Sequence, residues 1–431
     1  VRNKPTEVMR KAGIREGTPK TDSLAIAYAL QQMEARIKEA QEFIDDDLDG
    51  LGAWAAQRDE AQRIKSVLES LKLMAMVGTR RTLYYNKYPY FPHWKDGKVR
   101  SQHNQASTNT RRASESSPNK QQMPKTGKIE GYDAKFRQVL VPHRPDAVIV
   151  SMDFSAQELR IIADYSRDPN MVACYVGDDL KDLHALTGLG IAKHLHPTVP
   201  WTYELFMEAL KDEDHQLHKI AKFSRKNGKN TNFGAEFGAM APKLAQMLMV
   251  SEEDAQAFLD AKESAFPVSS KWKGTVVDEV KQSGIVRTKL GAVRHLGPAL
   301  VGDDKWVASK AERQAVNFKI QGSAAEMTKL AEGRMWEREL FFRFDARCIG
   351  PIHDEVCCSV AISDLYQFLP EMHACMVAPY ADMWIPIESS ISFGPNFYDQ
   401  IEIGLRPTKE AIDAGLDEIR KKFLAPLKVA A

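Results

Sequence analysis

With 431 residues, 43% hydrophobic and 27% charged, the chain has the composition of an ordinary folded protein and length for two to three packed units of about 150 residues each, which excludes a disordered or fibrous class. No apolar run reaches the roughly 18 residues of a membrane span, and a formal charge of +1 gives no global attraction to a polyanion. The five cysteines, Cys174, Cys348, Cys357, Cys358 and Cys375, are odd in number and lack CxxC spacing, against a zinc site or a disulfide framework and for a reducing compartment.

Over residues 23–76 the apolar positions recur at helical spacing, Leu24, Ile26, Ala27, Leu30, Met33 and Ile37 on one face, with an acidic break at Asp45-Asp46-Asp47; the pattern predicts a helical hairpin. Residues 84–128 are rich in turn formers yet too long for an idle linker. Between Arg80 and Arg144 basic residues far outnumber acidic ones, amid Thr, Ser, Asn, Gln and Tyr, which suits phosphates and sugars but also a solvated basic face. Residues 147–152 predict a buried strand that delivers Asp153 to its end, with a helix following from Ala156. Helical spacing dominates residues 182–266; residues 284–288 and 292–296 predict a hairpin around Leu290-Gly291, and a helix follows over about 309–336. Strand-like alternation then marks residues 347–360 and 385–393, with helical spacing over 362–376 between them.

Asp153 and Asp354, the latter in Ile352-His353-Asp354-Glu355, are acids at strand ends far apart in sequence, as a pair of hard divalent cations requires; either alone fits a helix cap or a turn better. Arg225, Lys229, Phe233 and Phe237 follow at four-residue spacing along one helical face, two cations for phosphates and two rings for a base. An ordinary amphipathic helix would separate its rings from its charges.

Together these segments resemble the signature motifs of the DNA polymerase I family, family A: DFSAQELR at 153–160 the first, RKNGKNTNFGAEFG at 225–238 the second and IHDEV at 352–356 the third. TRRASESSPNKQQMP at 110–124 is similar to the family's primer-side loop and KDLHALTG at 181–188 to the start of its nucleotide-side helix. RTKLGAVRHLGP at 287–298 resembles its hairpin, ERQAVNFKIQGSAAEMTK at 312–329 its template-contacting helix and IPIESSISFGPNF at 385–397 its closing strand.

The resemblance implies an α+β right-hand polymerase fold with an antiparallel-sheet palm, helical fingers and a helical thumb. The thumb would span residues 1–88, the palm 89–165 and 301–431, and the fingers 166–300. It implies a monomer that adds dNTPs to the 3′ end of a primer on template DNA, with two Mg²⁺ ions, or Mn²⁺ in their place, held by Asp153, Asp354 and the carbonyl of Phe154; Glu355 would be an accessory acid. Arg225, Lys229 and His184 would face the triphosphate as fixed cations, Lys229 also serving to protonate pyrophosphate. Phe233 and Phe237 would pack near the sugar and base, and Glu158, with Gln157 beside it in the nucleotide-facing group, would exclude a ribose 2′-hydroxyl. Arg112, Asn119, Gln121, Arg313, Asn317, Gln321 and His353 match positions that contact primer and template, largely in the minor groove, whose acceptors vary little with sequence.

Phe237 stands where the family commonly has Tyr, so the hydroxyl that would hold Glu158 is missing and looser exclusion of ribonucleotides is expected. Ala156 replaces a frequent Gln, and Cys357-Cys358 replace bulkier apolar residues. A single-subunit RNA polymerase shares the two aspartates and the Arg/Lys helix but lacks a bulky acid at the Glu158 position, and a silent DNA-binding scaffold would have no reason to keep both acids with the helix. Residues ahead of Tyr90 show no set of exonuclease acids, so no proofreading is expected from this chain. Without a signal-peptide core at the start, the expected location is the cytoplasm of a bacterial or phage-infected cell, with an organelle as the alternative.

Overall fold

The computed structural model describes residues 23–45, 51–86, 96–123, 128–129, 132–133, 136–236 and 238–424. The chain divides into two compact units, Val1–Lys98 with Met240–Gln256, and Val99–Ala239 with Ala257–Ala431.

In the smaller unit, α1 (Ser23–Asp45) and α2 (Leu51–Arg80) form the expected hairpin. Ile26, Met33 and Ala40 are buried at seven-residue intervals, a narrow seam of the coiled-coil kind, against Ala61 of α2. Arg58 donates to Gln41 at 3.1 Å and Lys65 meets Glu34 at 3.2 Å, which fixes the antiparallel register, and Phe43 stacks on Trp54 beside the connection at 4.2 Å. The Gln31 amide donates to the Met249 carbonyl at 3.0 Å, tying α1 to the segment after the helix Ala241–Leu248.

The larger unit is built on a five-stranded antiparallel sheet. In chain order come β1 (Gln102–Asn104) and β2 (Ser114–Ser116), a separate two-stranded ribbon within the turn-rich stretch, and then β3 (Ala147–Phe154) with α3 (Gln157–Ser166). Helices α4 (Leu183–Leu195), α5 (Tyr203–Lys211), α6 (His218–Glu236), α7 (Glu252–Ala265, of this unit from Ala257 on) and α8 (Pro267–Ser283) follow, and then the hairpin of β4 (Ile285–Arg287) and β5 (Val293–His295). Next, α9 (Lys305–Asn317) runs through a π-helical turn at Phe318–Gly322 into α10 (Ser323–Glu337). The chain closes with β6 (Ala346–Ile352), β7 (Glu355–Ala361), α11 (Leu365–Val377), β8 (Ser389–Gly394), β9 (Ile401–Gly404) and α12 (Lys409–Ile419).

The sheet order is β9-β8-β3-β7-β6, which sets the strand carrying Asp153 at the centre. Val148, Val150, Met152 and Phe154 enter the main core with Phe318, Phe368 and Phe393, while Ile149 joins Ile352, Cys357 and Phe397 on the opposite face. Burial on both faces is why β3 reads as a continuous apolar run instead of an alternating one. A central strand so enclosed is a rigid mount for the acid at its end.

Candidate active site

Asp153 stands across from Glu355 in the β3–β7 ladder, and the Phe154 amide donates to the Asp354 carbonyl at 3.2 Å. Sheet register therefore brings Asp153 and Asp354 together. Both carboxylates are partly open to solvent, whereas Glu355 is buried and accepts a hydrogen bond from the Cys357 thiol at 3.3 Å. His353, exposed and at a φ of +62°, makes the turn between β6 and β7. Among the described residues no group of three or more His, Cys, Asp and Glu could hold a metal ion on its own. Two partly exposed carboxylates at one sheet end do fit Mg²⁺, which takes one or two protein carboxylates and fills its shell with phosphate oxygens and water.

Beyond Phe154 the backbone turns through Ala156 at a φ of +52° into α3. Buried Arg160 fixes that turn: its Nε donates to the Ser155 carbonyl at 2.9 Å, its Nη2 pairs with Glu388, and its guanidinium lies 4.5 Å from the Tyr175 ring centre. Sequence reasoning gave this last residue of the first motif no role. Glu158, on the first turn of α3, is paired with Arg112. Burial pushes its carboxyl above the ordinary value, the Arg112 guanidinium pulls it back, and the nearby charges of Asp354 and Glu236 push it up again. Strand end, primer-side loop and α6 thus converge on Glu158. Arg112 supplies a partner in place of the expected tyrosine hydroxyl, and Phe237 itself lies outside the described residues.

On α6, Arg225 is half-buried and Lys229 and Phe233 are exposed, while Ser224, Asn227, Gly228, Thr231, Asn232 and Glu236 face inward. The small inward face permits a close crossing. A Cβ at Gly228 would lie 2.6 Å from the His184 carbonyl oxygen, and one at Gly188 would lie 2.9 Å from the Arg225 Cα, so α4 and α6 meet backbone to backbone. This crossing sets His184 beside Phe233, with ring centres 5.9 Å apart. Thr187 donates to Asn232 Oδ1 at 2.8 Å, and Asn232 Nδ2 lies 3.1 Å from His184 Nδ1. Burial pushes the imidazole down to about 4, Asp182 opposing and Arg225 and Lys229 reinforcing the shift. A group held that low carries no charge at pH 7; Nδ1 accepts from Asn232 and Nε2 is left as the donor. Arg225 is held by Asp182 Oδ2, at 2.9 Å from Nε and 2.7 Å from Nη2, and Asp182 also caps α4 through the Ala185 amide. At the far end of α6, buried Glu236 lies 2.7 Å from Lys262 and 2.8 Å from Lys273. Asp182, Asn232 and the Lys262–Glu236–Lys273 cluster were missed in the sequence; only the inward polar stripe of α6 hints at them.

The remaining expected residues are distributed more widely. Gln157 is buried, donating to the Ala324 carbonyl at 3.2 Å and to Thr328 Oγ1 at 3.3 Å, so it packs α3 on α10 and does not face the open side. Gln121 donates to the Ala113 carbonyl at 3.3 Å and the Pro351 carbonyl at 3.2 Å, tying the primer-side loop to β6, with half-exposed Asn119 just before it. Arg313 is exposed on α9, with Ser309 as its partner at 2.7 Å, and Asn317 and Gln321 are half-exposed along the same run.

The family model for DNA polymerase family A matches residues 30–199 and 207–399. DNA polymerase I of Geobacillus stearothermophilus is 30% identical over 336 residues, covering 77% of this chain and 35% of that protein. The thermostable DNA polymerase I of Thermus aquaticus is 28% identical over 301 residues, covering 70% of this chain and 32% of that protein. The chain thus spans about a third of the length of these curated relatives. In three dimensions it resembles the POL domain of Pol1 from M. smegmatis in complex with DNA primer-template and dNTP, with a TM-score of 0.61 and 22% identity over 92% of this chain and 58% of that one. That likeness makes the architecture a polymerase palm-fingers-thumb fold, and members of the family generally use divalent metal ions. With the family model matched across most of its length, the chain belongs to DNA polymerase family A.

Proposed function

We propose that the chain is a template-directed DNA polymerase that extends a primer 3′ end with dNTPs. The observation that carries this reading is the pairing of Asp153 and Asp354 at the end of one ladder, within electrostatic reach of Glu158 and α6. In this reading residues 1–88 act as thumb, 89–165 and 301–431 as palm and 166–300 as fingers. Asp153, Asp354 and the Phe154 carbonyl would hold two Mg²⁺ ions, which supply charge stabilisation for the attacking and leaving oxygens. Arg225 and Lys229 bind the triphosphate, and Arg225 exchanges Asp182 for it. The Nε2–H of His184 donates to a phosphate oxygen without adding a charge, while Lys229 is the proton donor for pyrophosphate. Phe233 packs on the sugar and base, and Glu158, oriented by Arg112, fills the space a 2′-hydroxyl would need. Gln121, Arg313, Asn317, Gln321 and His353 line the path of primer and template.

Primer extension by the purified chain with deoxynucleotides and separately with ribonucleotides, repeated with Asp354→Asn, tests this. Deoxynucleotide extension is expected, lowered at least about a hundredfold by the substitution, the scale on which loss of one charge-stabilising group acts. Undiminished extension by Asp354→Asn would remove the metal assignment, and preferential use of ribonucleotides would make the chain an RNA polymerase.

A further inference from the structure

We propose that Cys348 and Cys358 are a modification site: under oxidation by a small-molecule disulfide they form a cross-strand disulfide that slows the active site. The two residues are register partners in the β6–β7 ladder. Directly opposed residues of an antiparallel pair have Cα atoms about 4.5 to 5.5 Å apart, within the range a disulfide bridges. Their side chains share a face of the sheet, both lying against the main core, whereas Cys357 points to the other face with Ile149 and Phe397. A thiol–thiol hydrogen bond is the largest influence on the acidity of each, lowering the Cys348 thiol and raising that of Cys358.

Cys348 is partly exposed and Cys358 wholly buried, and this asymmetry sets the order of events. The Cys348 thiolate attacks one sulfur of the small disulfide and expels a thiolate, leaving a mixed disulfide on Cys348. That thiolate takes up the Cys358 proton, and the Cys358 sulfur attacks the Cys348 sulfur and expels the second small thiolate, which takes up from water the proton that Cys348 released on ionising. Two protein thiols and one small disulfide become one protein disulfide and two small thiols.

The covalent loop would run from Cys348 through the turn of His353 and Asp354 to Cys358. On its β6 side lies the irregularity between Cys348 and Gly350. There the Ile349 and Pro351 carbonyls accept from Lys120 at 3.3 Å and Gln121 at 3.2 Å. Drawing the strands from thiol contact to bond length would shift the Asp354 turn and its grip on the primer-side loop together.

The test exposes the full chain to oxidised glutathione, counts free thiols after denaturation, and digests without reduction after Glu355, which separates Cys348 from Cys358 in sequence. The expected result is a fall from five thiols to three, a linked peptide pair joining Cys348 to Cys358, and primer extension slowed about tenfold or more, as ångström-scale misplacement of reacting groups produces. Dithiothreitol should restore both. Cys348→Ser, and Cys348→Ala should the first fold poorly, should keep unoxidised extension rates and lose the sensitivity. Five surviving thiols, a linkage through Cys357 instead, or full activity in the linked form would each overturn the proposal. The thiol count and linkage do not depend on polymerase activity, so failure there is distinguishable from failure of the proposed function.

Discussion

Arg112 and Glu158 are 46 residues apart in sequence and form an ion pair that only the fold creates. The pair is partly buried, with Glu158 the less exposed partner, so its loss affects more than a surface charge. Without Arg112 the carboxyl keeps the burial that raises it and the repulsion from Asp354, and loses the cation that offsets both. Arg112→Leu should therefore raise ribonucleotide relative to deoxynucleotide incorporation about tenfold or more, the scale of one charge-assisted hydrogen bond; an unchanged ratio would show that Glu158 needs no orienting partner. The missing tyrosine hydroxyl alone had suggested a looser gate, and Arg112 supplies a reason for it to be tighter. Asp153, Asp354 and Arg225 were legible because each sits in a local pattern. Asp182, Arg160 and the Arg112–Glu158 pair were not, since an ion pair between distant segments leaves no periodicity in either.

At the scale of elements, α6 inverts the usual helix, with rings and cations outward and small polar residues inward. Its anchors are therefore titratable. Burial holds His184 at about 4, below the ordinary 6.5, and the two lysines keep Glu236 below the usual carboxylate value although burial opposes this. A histidine with a depressed folded value stabilises the fold fully above 6.5 and loses that contribution as pH falls toward 4; the Glu236 contribution is lost only below about 4.5, the ordinary carboxylate region. Between pH 6.5 and 4.5 the acid loss at α6 thus belongs to His184. From pH 7 to pH 5 the urea midpoint should move down relative to that of His184→Asn, while Glu332, which burial pushes up to about 7, adds an opposing gain common to both proteins; parallel changes in the two would mean that the imidazole is not desolvated. The hairpin α1–α2, the strand β3, the hairpin β4–β5 and the helix α6 follow the sequence patterns closely. The continuous helix expected over about 309–336 is interrupted by the π-helical turn at Phe318–Gly322, which keeps helical spacing nearly intact and so escapes detection. The ribbon β1–β2 escapes for another reason: its strands are three residues each and polar.

On the scale of the whole molecule the two units differ in what holds them. The larger has a core that runs from the sheet through α3, α10 and α11, whereas the described buried apolar residues of α1 and α2 are Ile26, Met33, Ala40 and Ala61. Along α2, Val67, Leu71 and Met74 are exposed. Few buried contacts mean low local stability and early opening. Every proposed metal and nucleotide residue, from Arg112 to Asp354, belongs to the larger unit. A ligand that binds only the folded form stabilises what it binds, by about 2.7 kcal/mol at a hundredfold excess over Kd, and leaves an element that opens independently unchanged. Amide hydrogen exchange should therefore show α1 and α2 exchanging before β3 and β7, and Mg²⁺ with a dNTP should slow exchange in β3, β7, α4 and α6 without slowing α1. Protection that rises equally in α1 would mean that the hairpin closes with the nucleotide as one cooperative body, and that the binding site extends beyond the unit that carries its chemistry.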